Sequence, residues 1–123
     1  MAEDHTHIVS SFDEELTRLN NIISQMGGLA ESQLISSIRS IVKRDSELAE
    51  KVILSDQRID VLEQEVQDFA VRLLALRQPM ADDLRQVVTA LKLSNDLERI
   101  GDLAKNIAKR AQVLNQIPPI RPV

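Results

Sequence analysis

The chain contains no cysteine, tryptophan or tyrosine, and its 123 residues include only two phenylalanines. The absence of cysteine excludes disulfide bonds, thiolate metal sites and cysteine nucleophiles, and it is consistent with a cytosolic location. Aromatic residues make up 2% of the chain and hydrophobic residues 43%. The core must therefore be aliphatic, which suits packing of helix against helix better than a β-sandwich.

Turn-forming residues and positive charge are also scarce. The chain has three glycines and four prolines, and three of the prolines stand in the last six residues. So few turn formers predict elements that are few and long. The net charge of −4 argues against a nucleic-acid partner, because phosphate contacts need a basic face. No apolar run reaches the ~18 residues of a membrane span, so we expect no segment that spans a membrane.

Apolar residues recur every three or four positions along almost the whole chain, which is the spacing of one face of an α-helix. The spacing predicts a first helix from about Ser11 to Lys43. A second helix is expected to begin after a cap at Asp45 or Ser46 and to end at RQPM. The third is expected to carry Pro79 in its first turn and to end before IPPIRPV. Three long helices with short connections predict an all-α fold, an antiparallel up-down three-helix bundle.

This bundle is expected to occupy residues 11–116. Residues 1–10 are predicted to form a flexible N-terminus, and residues 117–123 a proline-rich linker or cut end. The pair Gly27 and Gly28 interrupts the first helical pattern, and each glycine costs ~1 kcal/mol of helix stability relative to alanine. Because the apolar spacing continues across the pair, we predict one continuous helix.

Two pairs of carboxylates stand four residues apart, so the members of each pair share one helix face. Glu98 and Asp102 belong to the third helix, and Asp56 and Asp60 to the second. Asp60 lies 19 residues before Pro79 and Glu98 lies 19 residues after it. Antiparallel neighbours would therefore place both pairs at a similar height. Carboxylates held close repel each other and suit hard or borderline cations such as Mg²⁺, Mn²⁺ or iron.

A second interpretation of these acids is a solvated face that Arg58 and Arg99 neutralise from adjacent positions. Gly101 removes side-chain bulk between the acids of the third helix, so a neighbouring helix or an ion can approach. His5 and His7 are the only histidines and stand near the N-terminus. The Glu-x-x-His pattern of di-iron bundles is therefore absent from the acidic helices.

Five blocks of the sequence, in this order and spacing, resemble the PhoU family, regulators of bacterial phosphate uptake. The last two blocks are the most specific, since we know no other family that carries both. The blocks are SFDEELTRL (11–19), QMGGLAE (25–31), SDQRIDVLEQEV (55–66), RQPMADDLRQV (77–87) and NDLERIGDLAKNIAKR (95–110).

The resemblance implies an all-α fold of two three-helix bundles related by an internal repeat, of which this chain would contain one. It also implies a surface motif, E/D-x-x-x-D, that binds metal clusters. By position this motif falls on Glu98 and Asp102, and less directly on Asp56 and Asp60, with Gly101 between the first two. Iron is the expected metal, with manganese, zinc or magnesium as alternatives, and no organic cofactor is expected. The matched blocks further include Arg99, Pro79, Asp83 and Arg85 as motif or structural residues.

The resemblance implies an adaptor and not an enzyme. The expected partners are the ATPase subunit of the phosphate ABC transporter and the sensor histidine kinase of the phosphate response. The chain is expected to be cytoplasmic, to reach the inner membrane through these partners, and to form a homodimer in place of a second repeat. The alternatives are a carboxylate-bridged metalloenzyme and a purely structural helical bundle. A truncated chain, a fragment and a single-repeat homologue are equally compatible with the length.

Overall fold

The computed structural model describes residues 2–119, with side chains from Phe12 onwards. It consists of three α-helices, α1 Ala2–Val42, α2 Ser46–Arg77 and α3 Ala81–Leu114. Each helix packs against the other two. The predicted all-α three-helix bundle is confirmed. No helix within the described range is long and apolar enough to cross a membrane.

The first helix begins at Ala2, earlier than the start predicted near Ser11, and passes through Gly27 and Gly28 without a break. The side chains of His5 and His7 lie outside the described part of the chain, and so do residues 120–123 of the predicted proline-rich end.

The turn between α1 and α2 is held by two side chains. The Asp45 carboxylate caps α2 by accepting a hydrogen bond of 3.0 Å from the Leu48 backbone N–H. Arg44 has a left-handed backbone conformation, with φ of 53°. Its guanidinium donates hydrogen bonds to the backbone carbonyls of Asn115, at 3.2 Å, and Ile117. This turn is therefore tied to the carboxyl end of α3.

The turn between α2 and α3 differs from the prediction in one respect. Gln78 ends α2 in the left-handed conformation (φ 47°, ψ 59°), and Pro79 follows it. α3 begins only at Ala81, so Pro79 lies in the turn and not in the first turn of α3. The physical reason is that proline commonly follows a left-handed C-cap, because it cannot continue the helix. Asp82 and Asp83 stand in the first turn of α3 as predicted.

The buried positions of all three helices alternate in steps of three and four residues, the 3.5-residue period of a coiled-coil seam. Where a step of seven appears, the intermediate seam position is half-buried. The buried residues are Phe12, Leu16, Leu19, Met26, Ala30, Gln33, Ser37 and Ser40 in α1, Ala49, Val52, Asp56, Ile59, Val66, Ala70 and Leu73 in α2, and Val87, Ala90, Ser94, Gly101, Ala104, Ala108 and Ala111 in α3.

The core has two parts of different character. Large aliphatic side chains such as Leu19, Ile59 and Val66 fill the larger part. Near the α1–α2 turn the buried side chains are small, with Ala104 and Ala108 facing α2 residues. Small side chains let helix axes approach each other closely. The layer that contains Asp56 and Gly101 lies between the two parts.

Five apolar residues that the helical spacing places on buried faces are exposed, and Leu84 and Val88 of α3 are two of them. Ile38 is 50% exposed, Leu76 74% and Leu114 47%. Ser37 and Ser40 occupy the seam instead of Ile38, and both are fully buried. Their hydroxyls donate hydrogen bonds to backbone carbonyls three residues earlier in α1, which removes the cost of burying them.

Candidate functional site

Five carboxylates from α2 and α3 form one group, here called the acid cluster. It consists of Asp56, Asp60 and Glu63 on α2 and Glu98 and Asp102 on α3. Asp56 is buried, Glu63 and Glu98 are half-buried, and Asp60 and Asp102 are exposed. Each of the three more buried acids feels the charges of acids on both helices. The structure thus brings the four acids predicted from the sequence together, with Glu63 added.

The inner end of the acid cluster is Asp56, a residue that is 3% exposed. Its Oδ2 lies 3.5 Å from the Nζ of Lys105 on α3. Its Oδ1 is buried without a hydrogen-bond partner among the described residues. Burial raises the pKa of Asp56 above its usual value, and the charge of Asp60 adds to this, while Lys105 opposes it. Asp56 is therefore a carboxylate that is only partly compensated.

The two half-buried acids of the cluster, Glu98 and Glu63, have raised pKa values. Burial, a carboxyl–carboxyl hydrogen bond to Asp102, and the charges of Asp102, Glu63 and Asp60 raise the pKa of Glu98 from 4.5 to about 7. Burial and the charges of Asp60 and Asp102 also raise the pKa of Glu63. Negative charge is crowded at this place to the point that the acids compete for protons.

Gly101 lies at a close contact between α3 and α2. A Cβ at this position would stand 2.7 Å from Ile59 Cδ1 and 3.5 Å from Asp56 Oδ1. The neighbour that requires the absence of a side chain at position 101 is therefore α2. This close approach positions Asp56 against α3, and it explains why a glycine stands between Glu98 and Asp102 in spite of its cost to the helix.

The two arginines next to the acid pairs do not neutralise them. Arg58 and Arg99 are exposed, and neither forms an ion pair within residues 12–119. Arg58 instead lines a surface groove with Gln25 of α1, on the side of α2 that faces α1. The ion pair at the acid cluster is made by Lys105. The prediction that Arg58 and Arg99 neutralise the acids was wrong. Residues adjacent in sequence point in different directions from the helix axis, so an arginine next to an acid does not share its helix face.

The remaining predicted motif residues lie far from the acid cluster. Pro79, Asp83 and Arg85 belong to the opposite end of the bundle, ~20 Å from Glu98 at 1.5 Å per residue. Arg85 forms an exposed ion pair of 3.5 Å with Asp82 in the first turn of α3. Their position supports a structural role at the helix start.

Sequence reasoning did not predict three notable residues, of which two belong to the surroundings of the acid cluster and one is buried in α1. Glu63 stands seven residues after Asp56, one seam period further along α2, and this spacing could have revealed it. Lys105 follows Asp102 by three residues and so shares its helix face. Gln33 is 4% exposed, and both polar atoms of its amide are buried without a partner in the described structure. No sequence pattern distinguishes it from a surface glutamine.

The acid cluster has the ligand types that bind a cation, but its carboxylates do not surround one common point. No three His, Cys, Asp or Glu side chains among the described residues are arranged to hold a metal ion. The donors are nevertheless those that hard divalent cations prefer. The buried Oδ1 of Asp56 has no partner, and the raised pKa of Glu98 shows repulsion that a cation would relieve. Side-chain rotations of Asp56, Asp60, Glu98 and Asp102 would be needed to surround an ion.

Fold and site together define a class: a helical domain that carries a crowded carboxylate face on two antiparallel helices. The family model "PhoU domain" matches residues 23–111, and the chain belongs to the PhoU family. It is 51% identical over 114 residues to the "Phosphate-specific transport system accessory protein PhoU homolog" of Caulobacter vibrioides (strain NA1000 / CB15N). That match covers 93% of this chain and 50% of the relative.

Further relatives agree with this assignment. The homolog of the same name from Zymomonas mobilis is 44% identical, over 99% of this chain and 52% of the relative. The crystal structure of PhoU from Pseudomonas aeruginosa superimposes with a TM-score of 0.84 at 39% identity, covering 85% of this chain and 50% of that one. The chain thus spans about half the length of these relatives. They are named as accessory proteins of a transport system and not as enzymes.

Proposed function

We propose that this domain is a PhoU-like negative regulator of phosphate uptake and of phosphate-starvation signalling. It acts as an adaptor between the ATPase subunit of the phosphate ABC transporter and the sensor histidine kinase. The observation that carries the proposal is the 51% identity over 114 residues to a phosphate-specific transport accessory protein. The domain works in the cytoplasm and reaches the inner membrane through its partners.

The surface of the bundle supports a binding role. Large apolar side chains are exposed on every helix, among them Val42 at 71%, Leu54 at 63% and Val113 at 61%. Exposed apolar side chains that lie together in one patch are typical of surfaces that partners cover. We propose that a second copy covers part of this surface in a twofold dimer. Light scattering over a range of protein concentrations tests this, and a monomer at every concentration would refute the dimer.

The adaptor proposal is tested by capture of purified partners. The immobilised domain is incubated separately with the transporter ATPase subunit and with the cytoplasmic part of the kinase, with a full-length PhoU relative as the positive control. We expect the domain to retain at least one partner that the full-length protein also retains. Retention of both partners by the full-length protein and of neither by the domain would contradict an adaptor role for this bundle.

We also propose that the acid cluster takes a divalent cation, iron first and manganese, zinc or magnesium otherwise. When bound, the cation would supply positive charge that cancels the repulsion among the carboxylates. Asp60, Glu98 and Asp102 would hold it from the solvent side, and Asp56 from the inner side. The support is the chemistry of the donors and the unpartnered Oδ1 of Asp56.

The double exchange Glu98→Gln with Asp102→Asn is expected to abolish metal loading and to leave the helix content unchanged. Amides keep the shape of the side chains but lose the charge that binds a hard cation. Elemental analysis of protein purified without a chelating column measures the loading, and circular dichroism measures the helix content. The control exchanges Asp82 and Asp83 for asparagine at the far end of α3. An equal metal-to-protein ratio in both variants and in the wild type would refute the site.

A further inference from the structure

The acid cluster already contains a cation that belongs to the chain. Lys105 reaches from α3 across to α2, and its Nζ lies 3.5 Å from Asp56 Oδ2. The Lys105 side chain is 34% exposed, whereas that of Asp56 is only 4% exposed. Arg58 and Arg99, the other cations close in sequence, form no ion pair in the described structure. The ammonium of Lys105 is thus the positive charge placed at the inner end of the cluster.

The ammonium of Lys105 occupies the position that a metal cation would need in order to bind Asp56. Asp56 is the most buried acid of the cluster, and its Oδ1 has no partner. The charges of Asp60 and Asp102 also act on Asp56, so the acid that Lys105 contacts is itself repelled by two further carboxylates. A divalent ion held by Asp56 would stand within a few ångströms of the ammonium. Two positive charges at that distance repel strongly in a partly buried site.

Lys105 can nevertheless leave the cluster. Its four-carbon stem is flexible, and its ammonium is strongly hydrated when it reaches water. A third of its side chain is already in contact with solvent. Rotation about the stem would free both oxygens of Asp56 without any movement of the helices. The open arrangement of the acids, in which no three described side chains surround a point, agrees with a site whose inner end is occupied by the lysine.

We propose that Lys105 is a tethered competitor for the cation site: its ammonium occupies the inner end of the acid cluster, and a divalent cation binds by displacing it. The inference rests on the proposed cation site. In this proposal the acids bind the cation, whereas Lys105 lowers the affinity of the domain for it. The domain would then bind metal only when the concentration of free cation is high enough to displace Lys105.

The test compares Mn²⁺ binding by metal-stripped wild type, Lys105→Met and Lys109→Met. Methionine keeps much of the apolar stem but removes the charge. Lys109 is exposed on α3, one turn beyond Lys105, so its exchange controls for the loss of one positive charge. We expect Lys105→Met to bind Mn²⁺ about tenfold more tightly by calorimetry, with little change for Lys109→Met. Lys105→Arg, which keeps the charge, should remain close to wild type.

The outcomes separate this inference from the cation site itself. Equal Mn²⁺ affinity in wild type and Lys105→Met, or weaker binding by the variant, would overturn the role of Lys105 and leave the site standing. Absence of binding in every variant would overturn the cation site, and the competitor with it. Equal gains in Lys105→Met and Lys109→Met would show a general charge effect and overturn the specific role. If Lys105→Met is poorly folded, Lys105→Gln, which retains hydrogen-bond donors, replaces it with the same expectation.

Discussion

Gly101→Leu is expected to lower the free energy of unfolding by about 3 kcal/mol, and even Gly101→Ala should lower it by about 1 kcal/mol. Alanine normally stabilises a helix relative to glycine by about 1 kcal/mol. At Gly101 the new Cβ would stand 2.7 Å from Ile59 Cδ1, which is closer than atoms can pack. Ile59 is fully buried, so any shift of its Cδ1 methyl group disturbs the packing of the core. Overpacking therefore outweighs the gain in helix propensity.

The cause can be isolated with a double-mutant cycle. Ile59→Val removes the Cδ1 methyl group that meets the new Cβ. Alone it should destabilise the domain by about 1 kcal/mol, but combined with Gly101→Ala it should restore part of the lost stability. We expect a favourable coupling energy of about 1 kcal/mol between the two sites. Urea unfolding of the four proteins measures it.

Gly27 and Gly28 are matched controls for Gly101, because all three are glycines inside long helices. No atom lies within 4 Å of a Cβ added at either position. Gly27→Ala and Gly28→Ala should therefore each stabilise the domain by up to about 1 kcal/mol. A Gly101→Ala variant that gains as much stability as these two would contradict the close approach of α2 and α3.

Glu98→Gln is expected to stabilise the metal-free domain at pH 8 by about 1 kcal/mol. Burial and neighbouring acids raise the pKa of Glu98 from 4.5 to about 7. The folded state therefore holds this proton more tightly than the unfolded state does, and the contribution of Glu98 to stability is lost as the pH rises through 7. At pH 8 the wild type keeps a charged carboxylate among like charges. Glutamine has no charge and can still donate a hydrogen bond to Asp102.

The pH dependence gives the sharper measurement. Between pH 5 and pH 8 the stability contributed by Glu98 should fall in the wild type, and the slope should be smaller in Glu98→Gln. Asp96→Asn serves as the control, since Asp96 is exposed on the same helix and lies outside the acid cluster. Thermal unfolding in chelator-treated buffers at several pH values measures both. A Glu98→Gln variant that is less stable than wild type at pH 8 would show that the carboxylate is not repelled by its neighbours.

The number of helices and the cap of α2 were predictable because they depend on local interactions. The three-four spacing of apolar residues predicts three long helices, and the structure has them. Asp45 was one of two predicted caps, and its carboxylate does accept the Leu48 N–H. Pro79 was misplaced because the left-handed conformation of Gln78 moves the start of α3 to Ala81. That conformation leaves no clear signal in a glutamine.

The packing of the three helices decides which side of each helix faces the core. Ile38 fits a helical apolar face, but the seam passes through Ser37 and Ser40. A stretch of apolar and small residues is compatible with more than one helix rotation. Contact with the other two helices selects the rotation. The buried hydroxyls of Ser37 and Ser40 donate hydrogen bonds to backbone carbonyls of α1, so their burial costs little free energy.

For the acid cluster, the sequence by itself determined that four carboxylates share faces of two antiparallel helices, because helix periodicity and offsets from the turn require only local geometry. The tertiary structure alone decided that Asp56 turns inward to Lys105 while Asp60 stays exposed, and that Glu63 joins the group. These outcomes depend on the rotation of α2 against α3. That rotation is set where side chains of α2 pack against Gly101 of α3, through atoms that are distant in sequence.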